Sequence, residues 1–433
     1  MVLPITASTD AADHLVIGGC DTVKLAGDFG TPLFVFDEET LVAQCREYMS
    51  RFGGGPTPVE VIYAGKAFMS LALCQLIARE GLSLDVSSGG ELYVALASEF
   101  PPERIHMHGN NKTPRELEMA LEHGVGTIVV DSFDEMSLLD SLAAAAGRCQ
   151  KVFIRLTPGV KPQTHKYIQT GQVDSKFGFG IDDGLALEAV RKLLSLENLE
   201  LTGFHSHIGS QIFALDAYRK TIEILFDFAA GVRRETGFTP RTINLGGGLG
   251  IKYQDEDRPP TIAQFAQTVF EAASAGTGSS GLPLPELAIE PGRSIVGNAC
   301  VTLYTIGTVK EIPGVRTYIS VDGGMSDNIR PMLYGAGYTA LLANRVGAVA
   351  QQEVTIAGKH CESGDVLIRD IKLPKMEAGD ILCTPATGAY GYAMANNFNL
   401  QPKPAVVMVR EGEARVIVER ETYEDLIRKQ RRL

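Results

Sequence analysis

Short apolar runs, each closed by glycine or polar residues, recur through the first two thirds of the chain. They predict strands at 60–66, 83–88, 105–109, 127–132, 151–157, 201–209, 242–248 and 286–292. Helical periodicity fills the gaps, as in Phe68 to Ile77 and Pro114 to Leu121, where Pro114 suits a first helical turn after Thr113. Eight strands alternating with helices over about 250 residues match the size and count of a (β/α)8 barrel. A doubly wound sheet stays open, because periodicity alone cannot close a barrel. Ahead of this region, Leu33 to Phe36 reads as a strand, and Asp37-Glu38-Glu39 opens an acidic helix start. Near residue 295 the texture changes. Val301 to Val309, Thr317 to Val321, Glu353 to Ala357 and Val406 to Val409 read as strands without long helices between them. The expected fold class is therefore α/β plus β: a TIM-like barrel over 38–295, and a mainly β domain from 296–433 joined by 1–37. Ala340 to Gln351 is apolar and carries no functional motif.

Composition narrows the partners. A chain of 433 residues exceeds one ordinary core, and 45% hydrophobic with 21% charged residues is globular. The net charge of −12 argues against nucleic-acid and anionic-membrane binding. No apolar run reaches the roughly 18–20 residues of a membrane span. Met1 to Asp10 lacks the basic and apolar regions of a secretory signal. The seven cysteines are scattered and odd in number, which suits a reducing cytoplasm. No pair has metal-finger spacing, and no metal site is read.

The chemistry concentrates where the strands end. In a barrel of this kind the active site lies at the C-terminal ends of the strands. Those ends here carry Lys66, Asp85 to Ser88, His108-Gly109, Arg155, His205 to Ser210, Gly246 to Gly248 and Glu290 to Arg293. A lysine ending a buried strand is poorly solvated, which favours a nucleophilic amine able to form a Schiff base. Taken alone, the more ordinary account is a lysine that snorkels to solvent. Asp85 could be a helix cap, and His207 a core histidine. The glycine run of a late strand presents backbone N–H groups to a phosphate. A Schiff-base lysine and a phosphate cradle on one barrel fit a single cofactor, pyridoxal 5'-phosphate. Glu290 is placed to partner its ring nitrogen.

These motifs carry a resemblance. Tyr63 to Ala67, His205 to Gln211, Asn244 to Gly250 and Glu290 to Ser294 resemble the fold-type III pyridoxal-phosphate decarboxylases. Within that family, His108 to Thr113, Lys176-Phe177-Gly178, Cys361 to Asp365 and Gly388 to Met394 are most similar to the branch acting on meso-2,6-diaminopimelate. The resemblance runs from about residue 30 to the last helix, Glu421 to Leu426.

It implies specific roles. Lys66 would hold the cofactor aldehyde, and His207 would stack on the pyridine face. Asp85 counts among the cofactor contacts. Ser210, Gly247, Gly248, the backbone of Gly292 and Arg293, and the Tyr390 hydroxyl would receive the phosphate. Glu290 would keep the ring nitrogen protonated. A racemase of this fold type places an arginine there, so Glu290 argues for decarboxylation. Arg293, Arg330 and Tyr334 would bind the distal end of the substrate, Glu362 its distal ammonium, with Tyr390 nearby. Cys361 would reprotonate the α-carbon. The Cys361 to Asp365 stretch would enter a neighbouring subunit, which implies a homodimer with shared active sites. A lid over 161–173 is a further expectation. The rivals are a same-fold decarboxylase of lysine, ornithine, arginine or carboxynorspermidine, a silent cofactor-binding homologue, and a barrel aldolase using Lys66 without cofactor.

Overall fold

The computed structural model describes residues 2–160 and 175–433, so the expected lid at 161–173 lies outside the described residues. The chain divides into two compact units. One comprises Cys45–Gly250 and Arg258–Gly292; the other comprises Met1–Gln44, Ile251–Asp257 and Arg293–Leu433.

In the first unit eight parallel strands form a closed barrel. They are β1 (Val59–Ala64), β2 (Ser83–Val86), β3 (Ile105–Met107), β4 (Thr127–Val130), β5 (Gln150–Thr157), β6 (Leu199–Ser206), β7 (Thr242–Asn244) and β8 (Glu286–Ile289). Each pairs with the next, and β8 returns to β1 through Leu287↔Val59, Ala288↔Glu60 and Ile289↔Val61. Closure removes the doubly wound alternative. Apolar side chains such as Ile62, Leu84, Ile105, Ile128, Ile154 and Ile243 are fully buried along these strands, each contributing about 1.5–3 kcal/mol.

Several strands stop short of their expected C-terminal ends. The residues that drop out of the ladder, such as Lys66, His108, His207 and Gly246 to Gly248, turn over the barrel mouth instead. Their side chains and glycine torsions serve the site, not the sheet.

Local signals position the helices. Thr113 and Glu116 form a capping box ahead of Pro114–His123, and Gly124 closes that helix in the left-handed region with φ 73°. The helix expected from Phe68 begins at Leu71 and is capped by Ser70, because Gly65–Ala67 first makes a tight 3-10 turn. That turn is where Lys66 resides.

In the second unit, Leu33–Asp37 pairs antiparallel with Cys300–Ile312 and parallel with Ala405–Arg410. Cys300–Ile312 also pairs with Arg316–Val321 and Ile381–Pro385. The unassigned stretch from Ala340 has a structural role. Leu341–Leu342 pairs with Ile381–Pro385, while Tyr338, Ala340 and Leu342 join a buried cluster with Ile306, Ile319 and Ile356. Among the described residues, no helix is long and apolar enough to cross a membrane.

Candidate active site

The barrel unit gathers its polar groups at the strand ends. Gly65 follows β1 so closely against β2 that a Cβ there would lie 2.7 Å from the Asp85 carbonyl oxygen. This contact sets the turn carrying Lys66, whose charge reaches Glu91 and His207. Asp85 lies buried within β2, one residue before its end, and does not cap the next helix; Ser88 does, accepting from the Glu91 N–H. One Asp85 oxygen, Oδ2, has no partner among the described residues.

Glu290 follows directly on β8 with 4% of its surface exposed. Asn244 Nδ2 donates to its Oε1 at 2.8 Å, and His205 Nε2 lies 3.3 Å from its Oε2. His108 Nε2 is 3.0 Å from Oε1 but off the hydrogen-bond direction, and its ring meets that of His205 edge-on at 4.7 Å. Burial alone would raise the Glu290 carboxyl; His108 and His205 outweigh it and hold the group well below the usual carboxylate range. Burial in turn pushes His205 down to about 3 despite the opposing charge of Glu290. At neutral pH the cluster is therefore a carboxylate fed by an amide and a neutral imidazole.

His207 lies just beyond β6. Its Nδ1 accepts the Gly247 N–H at 3.2 Å. Burial, followed by the charges of Lys66 and Arg155, pushes the ring far below its ordinary value, so it is neutral. The face of a neutral ring suits stacking and needs no proton exchange.

The glycine run is dictated by close approach. A Cβ on Gly247 would lie 2.0 Å from the Glu290 carbonyl oxygen. Gly248 has φ 113° and approaches the Gly209 carbonyl. Ile212 N–H donates to the Gly248 carbonyl at 2.9 Å, which brings the Ser210 segment beside this loop. Ala64 N–H donates to the Pro291 carbonyl at 3.0 Å, so Gly292 sits next to the end of β1. Lys66, Asp85, His207, Ser210, Gly247, Gly248, Glu290 and Gly292 thus all occupy the strand-end side of one barrel. Four groups here had no role assigned from sequence: Asn244, His108, His205 and Arg155. The Arg155 guanidinium lies 4.2 Å over the Phe177 ring.

The β unit holds a second cluster. Arg293 opens the helix Arg293–Val296 and Arg330 the helix Arg330–Tyr334; they are 5% and 6% exposed. Arg293 lies 4.9 Å over the Tyr390 ring and 5.8 Å from that of Tyr253, to whose hydroxyl it donates. Arg330 lies 4.8 Å over the same Tyr253 ring and donates to the Tyr338 hydroxyl. Burial lowers the Arg330 guanidinium, but Tyr338 and Tyr253 outweigh it and raise the group above its ordinary value, so it is charged. No carboxylate lies within ion-pair reach of Arg330 among the described residues. Tyr334 ends the Arg330 helix, partly exposed. Tyr253 and Tyr338 were missed from the sequence; neither carries a motif.

Cys361 and Glu362 are placed differently, on an exposed turn of the same unit. Buried Asp365 anchors it, accepting from Met325 N–H at 2.7 Å, His360 N–H at 2.9 Å and His360 Nδ1 at 2.7 Å.

The barrel residues fit pyridoxal phosphate on their donor chemistry. They offer an amine for the aldehyde, a buried carboxylate for a ring N–H and a glycine loop packed so tightly on the Glu290 backbone that its Gly247 admits no Cβ. Buried polar atoms without partners among the described residues, Asp85 Oδ2, His205 Nδ1 and Ser206 Oγ, cluster at the same strand ends. These features define a class, the barrel decarboxylases that depend on pyridoxal phosphate. A family model described as the pyridoxal binding domain of pyridoxal-dependent decarboxylases matches residues 38–297.

Whole-chain comparisons narrow the class. Diaminopimelate decarboxylase of Bacillus subtilis is 49% identical over 428 residues, covering 99% of this chain and 98% of its own length. That of Mycobacterium tuberculosis is 45% identical, covering 98% and 97%. The crystal structure of diaminopimelate decarboxylase from M. jannaschii in co-complex with L-lysine superposes with a TM-score of 0.93 at 35% identity, covering 100% of this chain and 99% of that one. The chain belongs to the diaminopimelate decarboxylase family.

Proposed function

We propose that the protein decarboxylates meso-2,6-diaminopimelate to L-lysine and carbon dioxide, the last step of a lysine biosynthesis route. The arginine pair carries this reading. Arg293 and Arg330 are buried guanidiniums, and Arg330 has no carboxylate of its own among the described residues. Such a pair suits bidentate capture of a second, distal carboxylate. Lysine, ornithine and arginine have no such group. The M. jannaschii structure, whose co-complex contains L-lysine, supports the product.

Pyridoxal phosphate, when bound, supplies the electron sink for the pair released as carbon dioxide leaves. The remaining work falls to the chain. Lys66 would hold the cofactor through its aldehyde and supply the amine there. Glu290, kept ionised by its neighbours, would hold a proton on the ring nitrogen, and Asp85 would contact the cofactor. Neutral His207 would offer its ring face for stacking on the pyridine ring. Ser210, Gly247, Gly248, the backbone of Gly292 and Arg293, and Tyr390 would hold the phosphate. Arg293, Arg330 and Tyr334 bind the distal carboxylate, with Tyr390 beside them, and Glu362 pairs with the distal ammonium.

Cys361 returns a proton to the α-carbon. In this reading its exposed turn serves a neighbouring copy, so the working form is a cytoplasmic homodimer with shared sites. The test is product formation by the purified, cofactor-loaded protein. One lysine should appear per carbon dioxide from meso-diaminopimelate. Absence of both, with the cofactor's visible absorbance present, would refute the activity and leave a cofactor-binding regulator.

A further inference from the structure

We infer that Tyr253 is a positioning residue that holds Arg293 and Arg330 together as a preformed receptor for the substrate's distal carboxylate. The inference rests on the functional reading above and adds to it the residue on which specificity depends.

Two buried guanidiniums repel each other, and a neutralising carboxylate on Arg330 would leave it no capacity for substrate. Tyr253 avoids both outcomes. One ring lies 5.8 Å from the Arg293 guanidinium and 4.8 Å from that of Arg330. The negative ring face attracts both cations without cancelling either charge. The Tyr253 hydroxyl also accepts from Arg293, while Tyr338 accepts from Arg330.

The ring is itself fixed. Tyr338 meets it edge-on at 5.3 Å and 78°, and its backbone N–H donates to Asp257 Oδ2 at 2.8 Å. Gln254 N–H donates to the same oxygen at 2.9 Å, which closes the turn Tyr253 to Asp257. Tyr253 is 8% exposed, so the arrangement exists before any ligand arrives. The ordering cost of the receptor is thus met by folding and not by substrate. Substrates lacking a distal carboxylate gain nothing from it.

The experiment uses the cofactor-loaded full chain with Tyr253→Leu and Tyr253→Phe. It reads KM and kcat for meso-diaminopimelate and the inhibition constant of pimelate, the dicarboxylate without amino groups. The Leu variant should raise KM and the pimelate constant about tenfold or more. Its kcat should stay within about threefold, and the cofactor absorbance should be unchanged. The Phe variant, which keeps the ring and is the safer fold, should raise both constants about three- to tenfold. Unchanged constants in both variants would overturn the proposal. So would equal loss of kcat and cofactor absorbance in both, because a general packing role predicts that result. Failure of the functional reading looks different: wild type would neither turn over meso-diaminopimelate nor respond to pimelate, and the proposal would fall with it.

Discussion

Replacing Glu290 by Gln keeps the side-chain volume and removes one buried charge. The carboxylate is 4% exposed and accepts from Asn244 at 2.8 Å, so it is fixed and shielded from water. At hydrogen-bond separation from a protonated ring nitrogen and an effective dielectric near 20, that charge would contribute about 5–6 kcal/mol. The amide keeps a dipole toward that nitrogen and escapes the carboxylate's desolvation cost, which together return about half. A net loss of about 3 kcal/mol corresponds to about a hundredfold in kcat. The fold should tolerate the change, since His205 is already neutral. The assay is the rate of carbon dioxide release at saturating meso-diaminopimelate, with cofactor occupancy followed by visible absorbance. Occupancy should persist while kcat falls about a hundredfold. A kcat within about threefold of wild type at full occupancy would refute the reasoning.

Gly247→Ala would put a Cβ 2.0 Å from backbone at Glu290, so cofactor affinity should fall at least tenfold; unchanged equilibrium binding would contradict the cradle. Lys112 Nζ donates to Glu135 at 2.6 Å and to the Val129 and Gly109 carbonyls at 2.7 and 2.8 Å. Lys112→Met should therefore cost about 3–5 kcal/mol in urea unfolding by stranding buried Glu135, and adding Glu135→Leu should recover part of it. Acid sensitivity has a defined sign. His205, pushed down to about 3, stays neutral in the fold while the unfolded chain takes up a proton below about 6.5. Stability is thus present above that value and is lost as pH falls, by up to about 1.4 kcal/mol per unit. Between pH 7 and 5 wild type should lose up to about 2 kcal/mol more than His205→Gln, and equal losses would count against a buried neutral His205.

The barrel was legible because each strand is an apolar run ended by glycine or a chemical residue. The ends themselves were misread as strand, since His205 to Ile208 and Thr242 to Gly248 look continuous in sequence. What stops β6 and β7 is tertiary: the glycine loop must approach Glu290 and Gly209. Lys66, Glu290 and the glycine run announce themselves by residue type and position. Asn244 and Tyr253 do not. An asparagine after isoleucine and a tyrosine after lysine are common, and they acquire roles only through partners far along the chain, Glu290 and Arg330. Ile251–Asp257 follows the glycine loop without a break in pattern, yet groups with the β unit. No local signal marks that change.

The central claim is most directly tested by comparing carbon dioxide release from meso-diaminopimelate, lysine, ornithine and arginine by the cofactor-loaded protein, alongside Arg330→Ala. The account predicts release from meso-diaminopimelate alone, with lysine in equal amount. It also predicts a KM raised at least tenfold in the variant, since a buried charge-assisted contact contributes about 1.5–3 kcal/mol. Comparable release from any of the other three, or an Arg330→Ala variant that keeps the wild-type KM, would contradict it.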